Sequence, residues 1–445
     1  MPALFRIAAF LLVVSSPLWF YAFLYPTPLY NSTSAPLVVI WLLLLNLPLL
    51  FHVTRNDAFL RRVMGLGMIA KLAAASLYLY MSFHVYGLAS DALHYFFMGR
   101  QYAGDVNWGG RWLLLHPFWS TNSIYMINGA MQVLLGSSLP AITLIFAMSS
   151  FWGDYFFYRA FSQAVPQGDR RALAFLLFFL PSITYWPACI GKDALIQLCL
   201  GMAFYGFALL LRRFGPGSLL LLVTGLLGAM VIRPHVALML VLALVVPYMV
   251  SKNRMGIVGT LSRTIALPLL LVGTLYLARE AGQFLHMDDV SQSGAVAQMV
   301  GRNNDFGGSA FNGDASLAAR TLAAPVLFFR PFPWEVRSLT SAVAACEGLL
   351  LLAIAWKRRA QLLFAARTCR EHPLLFVAGL FVIEFSVVFS AAITNFGLLA
   401  RERVMALPML MLLFCACEVA HPASAPAARW QQFVHPSGLA PQRGS

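Results

Sequence analysis

Charge is scarce in this chain, and acidic charge scarcer still: 11% of its 445 residues are charged, with 17 Asp and Glu against 31 Lys and Arg. A soluble chain of this length could not cover its apolar surface with so few ions, because the shell of a domain is wet. The 60% hydrophobic content and the mean hydropathy of +0.74 make lipid the solvent, so the length rule for counting soluble domains does not apply. Paired cysteine spacing is missing too. Cys189, Cys199, Cys346, Cys369, Cys415 and Cys417 lie mostly in apolar runs and read as small packed hydrophobes rather than metal ligands. Internal repeats are absent. So is a nucleotide-binding P-loop: "GKD" at 191–193 would need glycine at 186 and Ser or Thr at 193, where Trp186 and Asp193 stand.

What is present is a series of apolar runs. A helix needs about 20 apolar residues to cross the hydrocarbon core. On that rule the spans are 4–24, 36–53, 63–83, 139–160, 172–190, 193–211, 218–233, 236–250, 260–279, 339–356, 374–395 and 404–420. The expectation is an all-α polytopic membrane protein with about twelve transmembrane helices, forming a single transmembrane domain over 1–421. The first run follows Arg6 with no small-residue cleavage site and reads as a retained span. The Pro- and Ala-rich tail, 422–445, reads as disordered. A net charge of +14 would suit nucleic acid, but the cations sit in short clusters between apolar runs, the pattern that orients membrane helices, so no nucleic-acid partner is expected. The clusters are Arg55, Arg61 and Arg62; Arg159, Arg170 and Arg171; Arg212 and Arg213; Lys252, Arg254 and Arg263; and Lys357, Arg358, Arg359, Arg367 and Arg370. All fall on one side if 122–138 lies in the interface without crossing. By the positive-inside rule that side is cytoplasmic, with both termini, in a bacterial-type inner membrane.

The outer face then receives two long segments, about 84–138 and 280–338, and short turns at 191–193, 233–235 and 395–403. Loops of such length are uncommon without a function, and "GRNNDFGGSAFNGDAS" (301–316) reads as a lid or an acceptor-binding element. In "LASDALHYFFMGRQYAGD" (88–105), Ser90 caps a short helix that sets Asp91, His94 and Tyr95 on one face. A carboxylate there serves as a general base or a cation ligand, or the segment is a solvated loop helix. In "VNWGGRWLLLHPFW" (106–119), Trp108, Arg111, Trp112 and His116 suit either headgroup anchoring or a sugar ring and a phosphate. Lys192 and Asp193 stand at a helix end, where an ion needs water or a partner. "VIRPHVAL" (231–238) supplies Arg233 and His235, and "TNFGLLARERVMALPML" (394–410) supplies Arg401, Glu402 and Arg403. Cations on this face run against the positive-inside bias, and the guanidinium fork matches phosphate oxygens. Inside the runs, Lys71, Asp154 and Glu384 each require a partner or a cavity, and Lys71 and Asp154 are candidates for each other.

This order of elements resembles the GT-C superfamily of integral-membrane glycosyltransferases, in particular the dolichyl-phosphate-mannose and aminoarabinose transferase group. "SDALHY" supplies Asp91 and Tyr95 of an acidic element in the first outer loop. The stretch 170–213 follows the family order of a helix ending in proline, a short turn with a second aspartate and another helix, through Pro181 and Asp193. Arg401 or Arg403 precedes Pro408 near the last span, as in that group. Two departures stand out: Ala92 replaces a second acid, and two spans precede the loop where one is usual.

The resemblance implies a polyprenyl-phosphate-linked sugar as donor and a glycan or lipid acceptor at the outer leaflet of the bilayer. Asp91 would deprotonate an acceptor hydroxyl that attacks the anomeric carbon with inversion. Asp193 would be the second acid, orienting Lys192 or binding a divalent cation, the only cofactor suggested. Lys192, Arg233, Arg401 and Arg403 would hold the donor phosphate, while His94, Tyr95, Trp108, Arg111 and His235 would contact substrate. The "RPH" and "RER" elements are more similar to polysaccharide-assembly proteins. A repeat-unit polymerase or ligase using polyprenyl-pyrophosphate glycans is therefore the alternative. A transporter or flippase, its path lined by Lys71, Asp154 and Glu384, is the third reading.

Overall fold

The computed structural model describes residues 35–86, 89–107, 117–250, 324–393 and 395–417. The expected spans 4–24 and 260–279, most of the second long loop and the tail lie outside the described residues. Among the described residues the chain is all helical, with no strand. It begins with α1 (Ala35–Val53), α2 (Ala58–His84), α3 (Asp91–Asn107), α4 (Thr121–Leu135) and α5 (Leu139–Ala164). A middle group follows: α6 (Arg170–Phe179), α7 (Pro181–Tyr185), α8 (Lys192–Arg212), α9 (Pro216–Ile232) and α10 (Pro234–Val250). The last group is α11 (Leu339–Lys357), α12 (Arg359–Arg367), α13 (Pro373–Ala392), α14 (Phe396–Glu402) and α15 (Leu407–Phe414).

Three of these are long and apolar enough to cross a membrane: α2, α8 and Pro373–Ser390 of α13. Helix α2 starts five residues before the expected run because the Asp57 carboxylate accepts a hydrogen bond from the Leu60 amide at 2.8 Å, which draws Arg61 and Arg62 into the start of the helix. The expected span 172–190 is not one straight helix. Its two halves, Arg170–Phe179 and Pro181–Ala188, meet at 56°, because Pro181 has no amide hydrogen and holds Leu180 extended (φ −63°, ψ 125°). The expected span 404–420 is also divided. A 3-10 turn at Arg403–Met405 precedes the buried α15, which at about 1.5 Å per residue is too short to cross.

Close backbone contacts fix the helix directions. Helices α5 and α8 run parallel, with the Ser150 hydroxyl on the Pro187 carbonyl (2.7 Å) at one end and Arg159 against Tyr205 toward the other. Gly153 and Gly201 let these two backbones touch: a Cβ on Gly153 would lie 2.5 Å from the Gln197 carbonyl oxygen. Helices α2 and α6–α7 also run parallel, Phe59 meeting Phe175 and Tyr78 meeting Tyr185. With the chain alternating through α9, the α8 N-terminus, the α9–α10 turn and the C-terminus of α2 gather at one end of the bundle. The opposite end holds Arg61, Arg62, Arg170, Arg171, Arg212, Lys357 and Arg358, where Arg358 pairs with Asp169 at 3.0 Å.

Most of the stretch 122–138 belongs to α4, which lies along α3 and ends at Leu135. Asn128 and Gln132, one helical turn apart, donate their side-chain amides to the Tyr95 (2.6 Å) and Phe96 (2.8 Å) carbonyls of α3. A Cβ on Gly129 would strike the Tyr102 ring. This clasp holds α3, and so Asp91 at its first residue, against the bundle.

Candidate functional site

At the end of the bundle away from the basic clusters, five side chains form an alternating ionic chain. Asp193, in the first turn of α8, accepts from Arg233 Nη2 at 2.7 Å and from Arg401 Nε at 2.5 Å. Arg233 also donates to Glu402, and Arg401 to Asp91. The order is Asp91, Arg401, Asp193, Arg233, Glu402, drawn from α3, α14, α8 and the α9–α10 turn. Burying a lone carboxylate costs several kcal/mol, so Asp193 needs both guanidiniums. Burial opposes the Arg401 charge, yet Asp193, Glu402 and Asp91 hold its pKa well above the ordinary arginine value.

Exposure separates the two carboxylates on Arg401. The Asp193 side chain is 4% exposed and the Asp91 side chain 55%. Asp91 therefore faces outward and is open to a bound group, while Asp193 is an anchor with both oxygens engaged. Asp193 does not orient Lys192, contrary to the expectation. Instead the Lys192 ammonium donates to the Ser120 hydroxyl at 3.2 Å, because consecutive helical residues point about 100° apart. Ser120 has a left-handed backbone (φ 51°) and gives its amide to the Val231 carbonyl at 2.7 Å, just before Arg233. A strained residue at such a junction persists only where its surroundings hold it.

Of the expected substrate contacts, Tyr95 is buried behind Gly191, where burial pushes its phenol up and keeps it a protonated donor. His94 Nε2 lies 2.9 Å from the Tyr125 hydroxyl. His235 sits against Phe389 (6.0 Å between centroids). Trp108 and Arg111 lie outside the described residues. Arg403 is not beside the other expected phosphate ligands. Its guanidinium is fully buried, bonded to Glu347 at 2.5 Å and to the Phe328 and Arg330 carbonyls at 3.0 Å each. Glu347 in turn accepts from the amide (2.7 Å) and hydroxyl of Ser182, beside the break at Pro181. This second cluster braces the broken helix and leaves Arg403 no access to a ligand.

Lys71 and Asp154 do meet, 3.8 Å apart inside the bundle, with Gln197 bonded to Asp154 at 2.7 Å and the Ile183 carbonyl accepting from Lys71 at 2.8 Å. Among the described residues no group of three or more His, Cys, Asp or Glu side chains could hold a metal ion. With both Asp193 oxygens taken by arginine, the ligand set does not fit the suggested divalent cation. Sequence reasoning missed Glu347, a carboxylate inside an apolar run and so a legible signal. It also missed Ser120 and the role of Glu402, which no local pattern marks. Protein-family models, curated proteins and solved structures were all searched, and none matches the chain.

Proposed function

We propose that this protein is a polytopic membrane glycosyltransferase that moves a sugar, with inversion, from a polyprenyl-phosphate donor to a cell-envelope glycan or lipid acceptor. The reaction takes place at the extracytoplasmic face of a bacterial-type inner membrane. The observation that carries the reading is the ionic chain from Asp91 to Glu402, gathered from four separate segments at the end of the bundle opposite the basic clusters. By the positive-inside rule the basic end is cytoplasmic, which puts Asp91 and Arg401 outside. Two further apolar runs, 4–24 and 260–279, lie beyond the described residues.

Asp91 takes the acceptor hydroxyl proton as that oxygen attacks the anomeric carbon. The bond from this carbon to the phosphate oxygen breaks, and the polyprenyl phosphate leaves with one more negative charge. Three cations, Lys192, Arg233 and Arg401, balance three carboxylates, Asp91, Asp193 and Glu402, in the free site. Protonating Asp91 turns that balance positive by one at the moment the phosphate gains its charge. Stabilisation matched to developing charge is the largest common source of catalysis, and a general base adds about 10²–10⁴-fold.

The engagement of Asp193 by two arginines favours one second reading, a repeat-unit polymerase or ligase acting on polyprenyl-pyrophosphate glycans with arginine as the dominant group. Glycan profiles of Asp91→Asn and Arg401→Ala cells distinguish the two. The transferase reading expects a single sugar missing in both variants. The polymerase reading expects Asp91→Asn to be near normal and Arg401→Ala to shorten the chains.

A further inference from the structure

We propose that, in the free protein, the Asp91 carboxylate occupies the anion site on Arg401 that a lipid-linked phosphate takes, so that donor binding exchanges one anion for the other and releases Asp91. The identity of the lipid rests on the transferase reading; the exchange itself rests on the geometry of Arg401. That guanidinium uses Nε on Asp193 and Nη1 on Asp91. Its Nη2 donates to no protein group among the described residues, and a Cβ on the neighbouring Gly191 would still lie 4.0 Å from it. The Nη1–Nη2 edge is the fork that receives two phosphate oxygens in parallel.

Two carboxylates share the arginine, and only one can leave cheaply. Asp193 is 4% exposed, with Arg233 on its other oxygen, so removing it from Arg401 would strand a buried charge. Asp91 is 55% exposed, and its one hydrogen bond among the described residues comes from Arg401, so on release it enters water. Exposed pairs of this kind are weak and readily replaced. Lys192, which has no carboxylate within ion-pair distance among the described residues, adds a second cation beside Gly191. The Asp91 carboxylate is thus open to an acceptor hydroxyl only once the phosphate is seated, and hydroxyls arriving without donor meet a carboxylate still tied to arginine.

The test is a titration of the purified full-length protein in lipid nanodiscs with farnesyl phosphate, repeated with inorganic phosphate. Asp91→Asn and Asp91→Ala, both at an exposed position, are expected to bind farnesyl phosphate about two- to fivefold more tightly than the wild type, the equilibrium equivalent of losing an exposed ion pair. Tightening with inorganic phosphate as well would make the phosphate group sufficient; tightening with farnesyl phosphate alone would make the lipid part of the site. Unchanged or weaker binding in both variants overturns the exchange. Tightening in a protein that transfers no sugar would uphold the exchange and remove the transferase reading. Loss of transfer in Asp91→Asn with unchanged phosphate affinity would do the reverse.

Discussion

Arg401 and Arg403 are two residues apart and chemically identical, and they do different work. Residues at i and i+2 on a helical turn point about 200° apart. Arg401 therefore turns to Asp91 and Asp193, and Arg403 into the bundle toward Glu347. The sequence "RER" could not assign these directions, because its register depends on where α14 starts. Asp91→Asn is expected to lower transfer by about 10²–10⁴-fold at normal protein level, read as product formed per mole of membrane protein. Arg403→Met, which leaves Glu347 buried and unpaired, is expected to cost about 3–5 kcal/mol of stability with little direct effect on phosphate affinity. Thermal unfolding of the detergent-solubilised protein, followed by size exclusion, measures that loss. Restoring the melting point with a second change, Glu347→Leu, would identify the stranded carboxylate as its cause.

Among the elements, α8 matters most, since it carries both Lys192 and Asp193 and is seated by the Gly153–Gly201 contact with α5. Gly201→Val is expected to push the two helices apart and abolish monodisperse protein, because backbone rather than a flexible side chain opposes the new methyl groups. Replacing Asn128 and Gln132 together by leucine releases α3 from its clasp without touching Asp91. A displacement of about 1 Å at a reacting group costs up to about a hundredfold, so transfer should fall while phosphate binding at Arg401 persists. The limits of the sequence are plainest at this scale. Helices α2, α8, α9 and α13 follow from apolar length, and the Lys71–Asp154 pair from the cost of intramembrane ions. The break near Pro181 was signalled by the proline but hidden by the hydropathy of the whole run. The division of 404–420 had no signal except Pro408, since a buried short helix and a spanning one are equally apolar.

For the molecule as a whole, the central feature is the separation of the ionic chain from the basic clusters by the length of the helices. The proposed orientation rests on that separation. On a cysteine-free background, a cysteine introduced by Trp334→Cys, at a ring 80% exposed, is expected to react with a membrane-impermeant maleimide in spheroplasts. One introduced by Arg359→Cys is expected to react only after the membrane is opened; reversed labelling would put Asp91 in the cytoplasm. The most direct measurement of the central claim is a mass-spectrometric profile of lipid-linked intermediates in cells lacking the protein, complemented with either wild type or Asp91→Asn. A polyprenyl-phosphate sugar that accumulates without the protein, clears with wild type and stays with Asp91→Asn is the predicted result. Intermediates unchanged in all three strains, or cleared by Asp91→Asn as well as by wild type, would contradict it.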